Sequence, residues 1–267
     1  MEHINHNLRI SSNMAYEERI YPGIKWNIDS KVYRRHAGRY EFASKFVSGK
    51  KVLDIACGSG YGSKILCDAG ATEVYGCDLD EEGIRFARKN YANQSIKFQV
   101  MDASKMTFDD NSFDCIVSFE TIEHVLDYKN AVKGFYRILK DDGTLIISTP
   151  NKEIVSEGRD KPKNPFHMKE FTRDEFLGFL GQDFVNIRLF SQRLQIEIST
   201  SKKIIRNFFM VLVRLDFLKL YMKFRNTKLY DSIEYIIDDT ANQYFPIPYQ
   251  SSHNPTVFIA VCQKRKR

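Results

Sequence analysis

The sequence predicts one α/β domain built on a seven-stranded, mostly parallel sheet with helices on both faces. Two observations lead to this prediction. Short apolar runs of strand type alternate with amphipathic helical segments between about residues 50 and 150, the alternation that βαβ units produce. Polar residues follow these runs, and open parallel sheets bind ligands at the carboxyl ends of their strands. We therefore expect the functional site at that edge of the sheet.

The predicted helices and strands follow the chain in order. The first helix covers about residues 30–47 and caps the sheet ahead of the first strand. Further helices are predicted at 62–69, 81–91, 129–139 and 172–180, and a loop at 151–169. The strands are predicted at 51–55, 73–77, 96–100, 113–119, 144–148, 185–190 and 256–263.

The 267 residues divide into four predicted parts. Residues 1–49 form an N-terminal capping segment, and 50–198 form the sheet core. The alternation of strands and helices stops after the sixth strand, which predicts a helical insertion at 199–252. The last part, 253–267, contains the final core strand and a basic tail.

Cysteine usage and the N-terminus indicate a cytoplasmic protein. The five cysteines are odd in number and lie mostly in apolar runs, which favours reduced core thiols over a disulfide framework. They lack the paired close spacing of a zinc site. Residues 1–13 are polar without the apolar stretch of a secretion signal, and apolar runs elsewhere are shorter than a membrane span.

The positive charge is concentrated in one segment. The chain has a formal net charge of +6, and residues 202–228 contain eight Lys or Arg against Asp216 alone. The remainder is close to neutral, so we expect no nucleic acid partner. Apolar residues alternate with these cations, a pattern that suits a basic helix at a membrane surface. We favour the alternative, in which the segment is a lid or a homodimer helix with a solvated basic face.

A glycine-rich turn follows the first predicted strand. Gly58, Gly60 and Gly62 stand at alternate positions after Asp54 and Cys57, where the lack of a Cβ lets a ligand lie against backbone amides. A phosphate loop would end in Gly-Lys-Ser or Gly-Lys-Thr, and here Ser63 precedes Lys64. A dinucleotide loop would place its third glycine one residue later than Gly62. The turn therefore fits a third kind of nucleotide loop better.

The loop Asp54-x-Ala56-Cys57-Gly58-x-Gly60 closely resembles that of class I S-adenosylmethionine-dependent methyltransferases, which have a Rossmann-like fold. The resemblance implies S-adenosylmethionine as cofactor. Asp78, 18 residues after Gly60, matches the acid that holds the ribose hydroxyls. Asp102-Ala103 matches the pair that contacts adenine. The cofactor-binding residues implied in this way are Asp54, Ala56, Cys57, Gly58, Ser59, Gly60, Asp78, Leu79, Asp102, Ala103, Phe119 and Glu120.

Candidate catalytic residues lie just beyond the predicted strand ends. Glu123 and His124 follow the fourth strand, and His167 lies in the loop after the fifth. Either histidine is a candidate base for a hydroxyl acceptor, because a hydroxyl must lose its proton when it is methylated. The alternatives are a packing or helix-capping role for His124 and a lid role for His167. We assign no metal ligands, although Glu120, Glu123 and His124 also suit a divalent cation.

Several motifs are similar to methyltransferases of bacterial surface-polysaccharide and glycan biosynthesis. They include residues 17–23, His36-x-x-Arg39-Tyr40, residues 148–152 and residues 164–170. The resemblance implies O-methylation of a sugar or sugar-linked group, with a small-molecule or lipid-linked glycan as acceptor. A lipid-linked acceptor would also suggest that the protein contacts the inner face of the membrane through residues 202–228. The alternatives are methylation of a small metabolite, such as a quinone precursor or an amine, and a non-catalytic binding module.

Overall fold

The computed structural model of the chain describes residues 31–192, 246–250 and 255–266. Its centre is an eight-stranded sheet in the order β3-β2-β1-β4-β5-β8-β6-β7. Strands β1 to β5 pair in parallel, whereas β8 runs antiparallel between β5 and β6. The strands are β1 Lys51–Ile55, β2 Glu73–Asp78, β3 Ile96–Val100, β4 Phe113–Ser118, β5 Leu139–Pro150, β6 Phe184–Gln192, β7 Ile247–Pro248 and β8 Val257–Lys264.

Several helices begin where a polar side chain accepts hydrogen bonds from their first backbone amides. Asp80 accepts hydrogen bonds from Glu82 and Gly83 at the start of α3, and Thr172 and Glu175 form a capping box at α6. A 3-10 turn, Ser44–Phe46, follows the first helix. The helices are α1 Lys31–Ala43, α2 Tyr61–Asp68, α3 Glu81–Tyr91, α4 Tyr128–Ile138, α5 Lys152–Val155 and α6 Arg173–Leu180.

The prediction of seven strands was wrong by one. The short strand Ile247–Pro248 pairs antiparallel with Phe190 and Ser191 of β6, within the segment 199–252 for which a helical insertion was predicted. Main-chain contacts divide the chain into two units, 1–193 with 246–267 and 194–245. The second unit, with the basic segment 202–228, lies outside the described residues. The predicted insertion therefore stays a prediction for that part of the chain.

Two further element predictions needed correction. The fifth strand, predicted at 144–148, extends over Leu139–Pro150, because Phe113 pairs with Leu139 before the register shifts to Cys115 and Thr144. The predicted turn at 141–143 lies within this irregularity, and Asp142 has a φ of 60°. The predicted loop at 151–169 contains the short helix α5, which Asn151 caps.

Helices cover the central strands, which are buried on both faces. Nearly every residue of β1, β4, β5 and β8 is buried, as expected for central strands of a sheet with helices on both faces. The core joins their apolar side chains with Phe135 and Ile138 of α4 and Phe176 of α6. All five cysteines are free thiols. Among the described residues, no helix is long and apolar enough to span a membrane.

Candidate active site

The glycine-rich turn adopts backbone conformations that only glycine accommodates easily. Ala56, Gly58 and Gly60 have φ values of 63°, 55° and 83°, all in the left-handed region. A Cβ on Gly60 would lie 2.6 Å from the Cβ of Ala87 in α3. The turn therefore runs close against its neighbours, and both Cys57 and Ser59 within it are buried.

Asp78, the predicted ribose-binding acid, contacts this turn directly. Its Oδ2 accepts a hydrogen bond of 2.8 Å from the Gly58 N–H, and its Oδ1 accepts one of 2.9 Å from the Asp80 N–H. The carboxylate is therefore held at the carboxyl end of β2 beside the first glycine. Leu79, which follows it, is 69% exposed.

Asp102 and Ala103 lie at the next strand end along the edge. The Met101 N–H donates to the Asp78 carbonyl over 2.9 Å, which joins the ends of β3 and β2. Oδ1 of Asp102 accepts hydrogen bonds from the hydroxyl and the N–H of Ser104. These bonds lower the pKa of Asp102, so the carboxylate is ionised and available to accept hydrogen bonds at neutral pH.

Asp54 points into the protein rather than toward the edge. Its buried carboxylate accepts hydrogen bonds of 3.1 Å from the Tyr40 hydroxyl and 2.6 Å from the Ser63 hydroxyl. Burial raises the pKa of Asp54 to about 7, against the opposing effect of the two hydrogen bonds. Direct contact of Asp54 with a cofactor stays a prediction. In the structure the side chain joins the first strand to the helices that contain Tyr40 and Ser63.

The Tyr40 ring explains why a glycine occupies position 62. A Cβ at Gly62, in the first turn of α2, would overlap the ring of Tyr40. The same ring packs edge-on against Phe119, with centroids 5.1 Å apart. Sequence reasoning placed Tyr40 on a helix but missed its contact with Asp54; its position in the motif with His36 and Arg39 was the available signal.

Glu120, at the end of β4, is held by one side chain of the neighbouring strand. The Ser148 hydroxyl donates to Oε1 of Glu120 over 2.7 Å and accepts from the Glu120 N–H over 3.0 Å. Glu120 has a φ of 48°, so the chain turns sharply after Phe119. This pairing directs the Glu120 carboxylate toward β5.

Glu123 is fully buried at the centre of the candidate catalytic residues. Its carbonyl accepts hydrogen bonds from the N–H groups of Met168 and Lys169, at 2.6 and 3.2 Å, which fixes the 164–170 loop beside it. The Thr149 hydroxyl lies 3.4 Å from Oε2. Burial, reinforced by the charge of Glu120, raises the pKa of Glu123 well above its usual range.

The hydrogen bonds of His124 determine its tautomer. Nδ1 lies 3.1 Å from the carbonyl oxygen of Phe166, which can only accept, so Nδ1 carries a proton and donates it. In the neutral ring Nε2 then bears the lone pair. The side chain is exposed to solvent, as a residue that meets an incoming acceptor must be.

His167 is more enclosed and is held on both sides. The Asn164 Nδ2 donates to its Nε2 over 3.0 Å, and Nδ1 donates to Oε1 of the buried Glu170 over 2.7 Å. The Asn164 amide cannot be reversed without loss of a second bond, because its Oδ1 accepts from the Phe166 N–H. The lone pair of His167 Nε2 is thus engaged by the Asn164 amide.

The structure brings Glu123, His124 and His167 together. One potential ligand atom from each lies within 4.8 Å of the others, and the two imidazole rings are 4.8 Å apart in an edge-to-face arrangement. From the sequence, Glu120 was considered as a cation ligand together with Glu123 and His124. Among the described residues, Glu120 bonds instead to Ser148, and His167 is the third member of the cluster. Sequence reasoning also gave no role to Asn164 and Glu170, which hold His167.

Two open surface clefts in the described part of the chain contain none of the predicted site residues. One, of about 370 Å³, is lined by residues that include Lys133, Arg137 and Lys264. The other, of about 480 Å³, is lined by residues that include Asn186 and Arg188. The polar chemistry is instead concentrated at the carboxyl ends of β1 to β5.

Comparison with known proteins identifies a methyltransferase domain in the chain. Residues 53–147 match the family model described as "Methyltransferase domain". A probable S-adenosylmethionine-dependent methyltransferase of Mycolicibacterium smegmatis is 34% identical over 163 residues, which are 61% of this chain and 62% of that protein. The chain thus spans less than two thirds of that relative. A phosphoethanolamine N-methyltransferase of Triticum aestivum is 30% identical over 152 residues, 55% of this chain and 27% of that protein.

A solved structure shares the fold over most of the chain. A Haloferax volcanii methyltransferase, determined in complex with the Trm112 methyltransferase activator, superposes with a TM-score of 0.59 and 19% identity. The match covers 87% of this chain and 91% of that one. At this level of identity the likeness concerns the fold alone.

The buried Asp54 predicts a specific pH dependence of stability. Its carboxyl keeps a proton in the folded protein up to a pH of about 7, whereas the unfolded chain loses that proton near the usual aspartate pKa of 3.8. The stability that Asp54 contributes is therefore complete below pH 3.8 and is lost as the pH rises toward 7. Relative to an Asp54→Asn variant, the unfolding free energy should fall by up to about 1.4 kcal/mol per pH unit in this interval.

Urea unfolding of both proteins at several pH values between the two pKa values, and above them, measures this difference. The exposed Asp109 supplies a matched control, since Asp109→Asn makes the same exchange of a carboxyl group for an amide outside the buried site. A constant difference between wild type and Asp54→Asn would contradict the assigned burial of the carboxyl.

Proposed function

We propose that this chain, which carries a class I S-adenosylmethionine-dependent methyltransferase domain, transfers a methyl group to a hydroxyl oxygen of a sugar or sugar-linked group. One observation carries the proposal: the cluster Glu123, His124 and His167 lies at the sheet edge that also presents the glycine turn, Asp78 and Asp102. The residues proposed to bind the cofactor and those that can take a proton thus belong to one edge of the sheet.

The first half of the site suits S-adenosylmethionine, the cofactor of this domain. The Asp78 carboxylate can accept hydrogen bonds from the two ribose hydroxyls beside Gly58, and Asp102 can accept from the adenine amino group. Gly58 and Gly60 let the methionine part lie against the backbone. The exposed Leu79 is positioned to cover the adenine ring.

The second half suits an acceptor that must lose a proton. Methyl transfer from a sulfonium is an in-line displacement, so positioning of the acceptor oxygen supplies much of the acceleration. The O–H proton passes to Nε2 of His124 as the oxygen attacks the methyl carbon and the carbon–sulfur bond breaks. The Phe166 carbonyl holds the Nδ1 proton and stabilises the imidazolium that forms.

A glycan acceptor is supported by the motifs 148–152 and 164–170, which resemble those of glycan methyltransferases. Both motifs contact Glu123 or its neighbour Glu120. The Ser148 side chain holds Glu120, and the backbone of 168–169 holds Glu123. A lipid-linked glycan would agree with membrane contact through 202–228. That contact, a homodimer and a cytoplasmic location all stay predictions. An amine acceptor is the second candidate, because some relatives are named phosphoethanolamine N-methyltransferases.

Cofactor binding should depend strongly on Asp78. Asp78→Ala removes the acceptor of two ribose hydrogen bonds to a charged group, so calorimetry should show S-adenosylhomocysteine bound at least about 100-fold more weakly. Asp109→Ala, which removes an exposed carboxylate elsewhere, should bind like the wild type. Unchanged affinity of Asp78→Ala would show that Asp78 does not bind the ribose. If the wild type bound neither S-adenosylmethionine nor S-adenosylhomocysteine, the alternative of a non-catalytic binding module would be favoured.

His124 should matter more than His167 in turnover. Release of S-adenosylhomocysteine is measured over a panel of nucleotide sugars and sugar phosphates, with phosphoethanolamine as the amine acceptor. His124→Ala should lower kcat by at least about 100-fold with a sugar acceptor, while His167→Ala should have a smaller effect. Full turnover by His124→Ala would exclude it as the base, and turnover with phosphoethanolamine alone would favour the second candidate.

A further inference from the structure

Glu123, His124 and His167 combine donor atoms from two separate parts of the chain. Glu123 and His124 belong to the turn after β4, whereas His167 comes from the 164–170 loop that docks on the Glu123 carbonyl. Their donor atoms lie within 4.8 Å of one another. Two imidazoles and one carboxylate form a compact set of metal-ligand type.

Each imidazole donates its Nδ1 proton to an acceptor, as metal-bound histidines usually do. A metal-ligating histidine usually donates its second ring N–H to a carbonyl or carboxylate, which fixes the ring and makes the other nitrogen more basic. His124 donates from Nδ1 to the Phe166 carbonyl, and His167 donates from Nδ1 to Glu170. In each neutral ring the lone pair therefore lies on Nε2. The Asn164 amide occupies that position on His167, and a metal ion would displace it.

The Glu123 carboxylate supplies the independent observation. The residue is fully buried, and no group in the described part of the chain donates a hydrogen bond to its Oε1. A buried carboxylate oxygen without a donor is costly, because its hydration is lost and not replaced. A bound cation in contact with the two histidines would supply the missing interaction.

We propose that Glu123, His124 and His167 bind a divalent transition-metal ion. The donor set of two nitrogens and one oxygen suits zinc, manganese or cobalt better than magnesium or calcium, which prefer oxygen ligands alone. The exposed His124 gives the ion a path from solvent. Zinc–ligand bonds are about 2.0–2.2 Å long, so binding would draw the three donors closer together than the 4.8 Å that limits their present spacing.

With an ion bound, Nε2 of His124 would be a metal ligand and could not accept the proton. The ion would then activate the acceptor oxygen in place of His124. Glu123, His124 and His167 would hold the ion, and the ion would lower the pKa of an acceptor hydroxyl that reached it. This role rests on the proposed function, whereas the site itself does not, because metal binding is measured without an acceptor or a cofactor.

The test is a titration of the EDTA-treated full chain with Co²⁺, followed by visible absorption, and then displacement of Co²⁺ by Zn²⁺. One equivalent should bind. His167→Ala, His124→Ala and Glu123→Gln should each weaken binding by at least about tenfold, and Glu170→Gln should weaken it less. Asp109→Asn, which alters an exposed side chain outside the cluster, should bind like the wild type. A double variant, His3→Ala with His6→Ala, excludes the N-terminal histidines as ligands.

Three results would overturn the proposal. They are the absence of saturable Co²⁺ and Zn²⁺ binding to the wild type, undiminished binding by His167→Ala, and loss of binding in Asp109→Asn or in the His3 and His6 double variant. Circular dichroism and S-adenosylhomocysteine affinity show which variants are folded, and His167→Asn replaces His167→Ala where the latter unfolds. Metal binding without cofactor binding would retain this site and reject the proposed function.

Discussion

The buried carboxylate of Asp54 is the constraint on which the arrangement of the site depends. Burial of a carboxyl group is tolerated because two hydroxyls, one from α1 and one from α2, donate to it. These bonds join the first helix to the first strand and fix the Tyr40 ring over Gly62 and against Phe119. Helix α1 is thereby held across the carboxyl ends of β1 and β4, where ligands bind in sheets of this kind.

From this fixed edge, the site extends in two directions. Toward β2 and β3, backbone amides of the glycine turn and the strand ends position Asp78 and Asp102 for a nucleoside-bearing cofactor. Toward β5, the sharp turn at Glu120 brings Glu123 into the interior, and the 164–170 loop docks on its carbonyl. The residues proposed for the cofactor and those proposed for the acceptor therefore lie along one edge of the sheet.

Much of the fold was predictable because its signals are local. The predicted limits 51–55, 81–91 and 96–100 agree with the observed elements, since apolar runs, an Asp N-cap and turn residues mark their ends. The two-residue strand β7 has no periodicity to detect, and it forms only through pairing with β6. Some side-chain hydrogen bonds likewise form only in the folded chain, so the spacing of residues in the sequence does not reveal them. Examples are the bond from Tyr40 to Asp54 and the bonds that join His167 to Asn164 and Glu170.

The central claim is that the glycine turn and Asp78 hold the ribose of S-adenosylmethionine while the sulfur faces Glu123 and His124. A crystal structure of the chain with bound S-adenosylhomocysteine tests it most directly. The account predicts both ribose hydroxyls within about 3 Å of the Asp78 carboxylate and the sulfur directed toward the His124 side of the site. A ligand bound elsewhere, or one whose ribose makes no contact with Asp78, would contradict it.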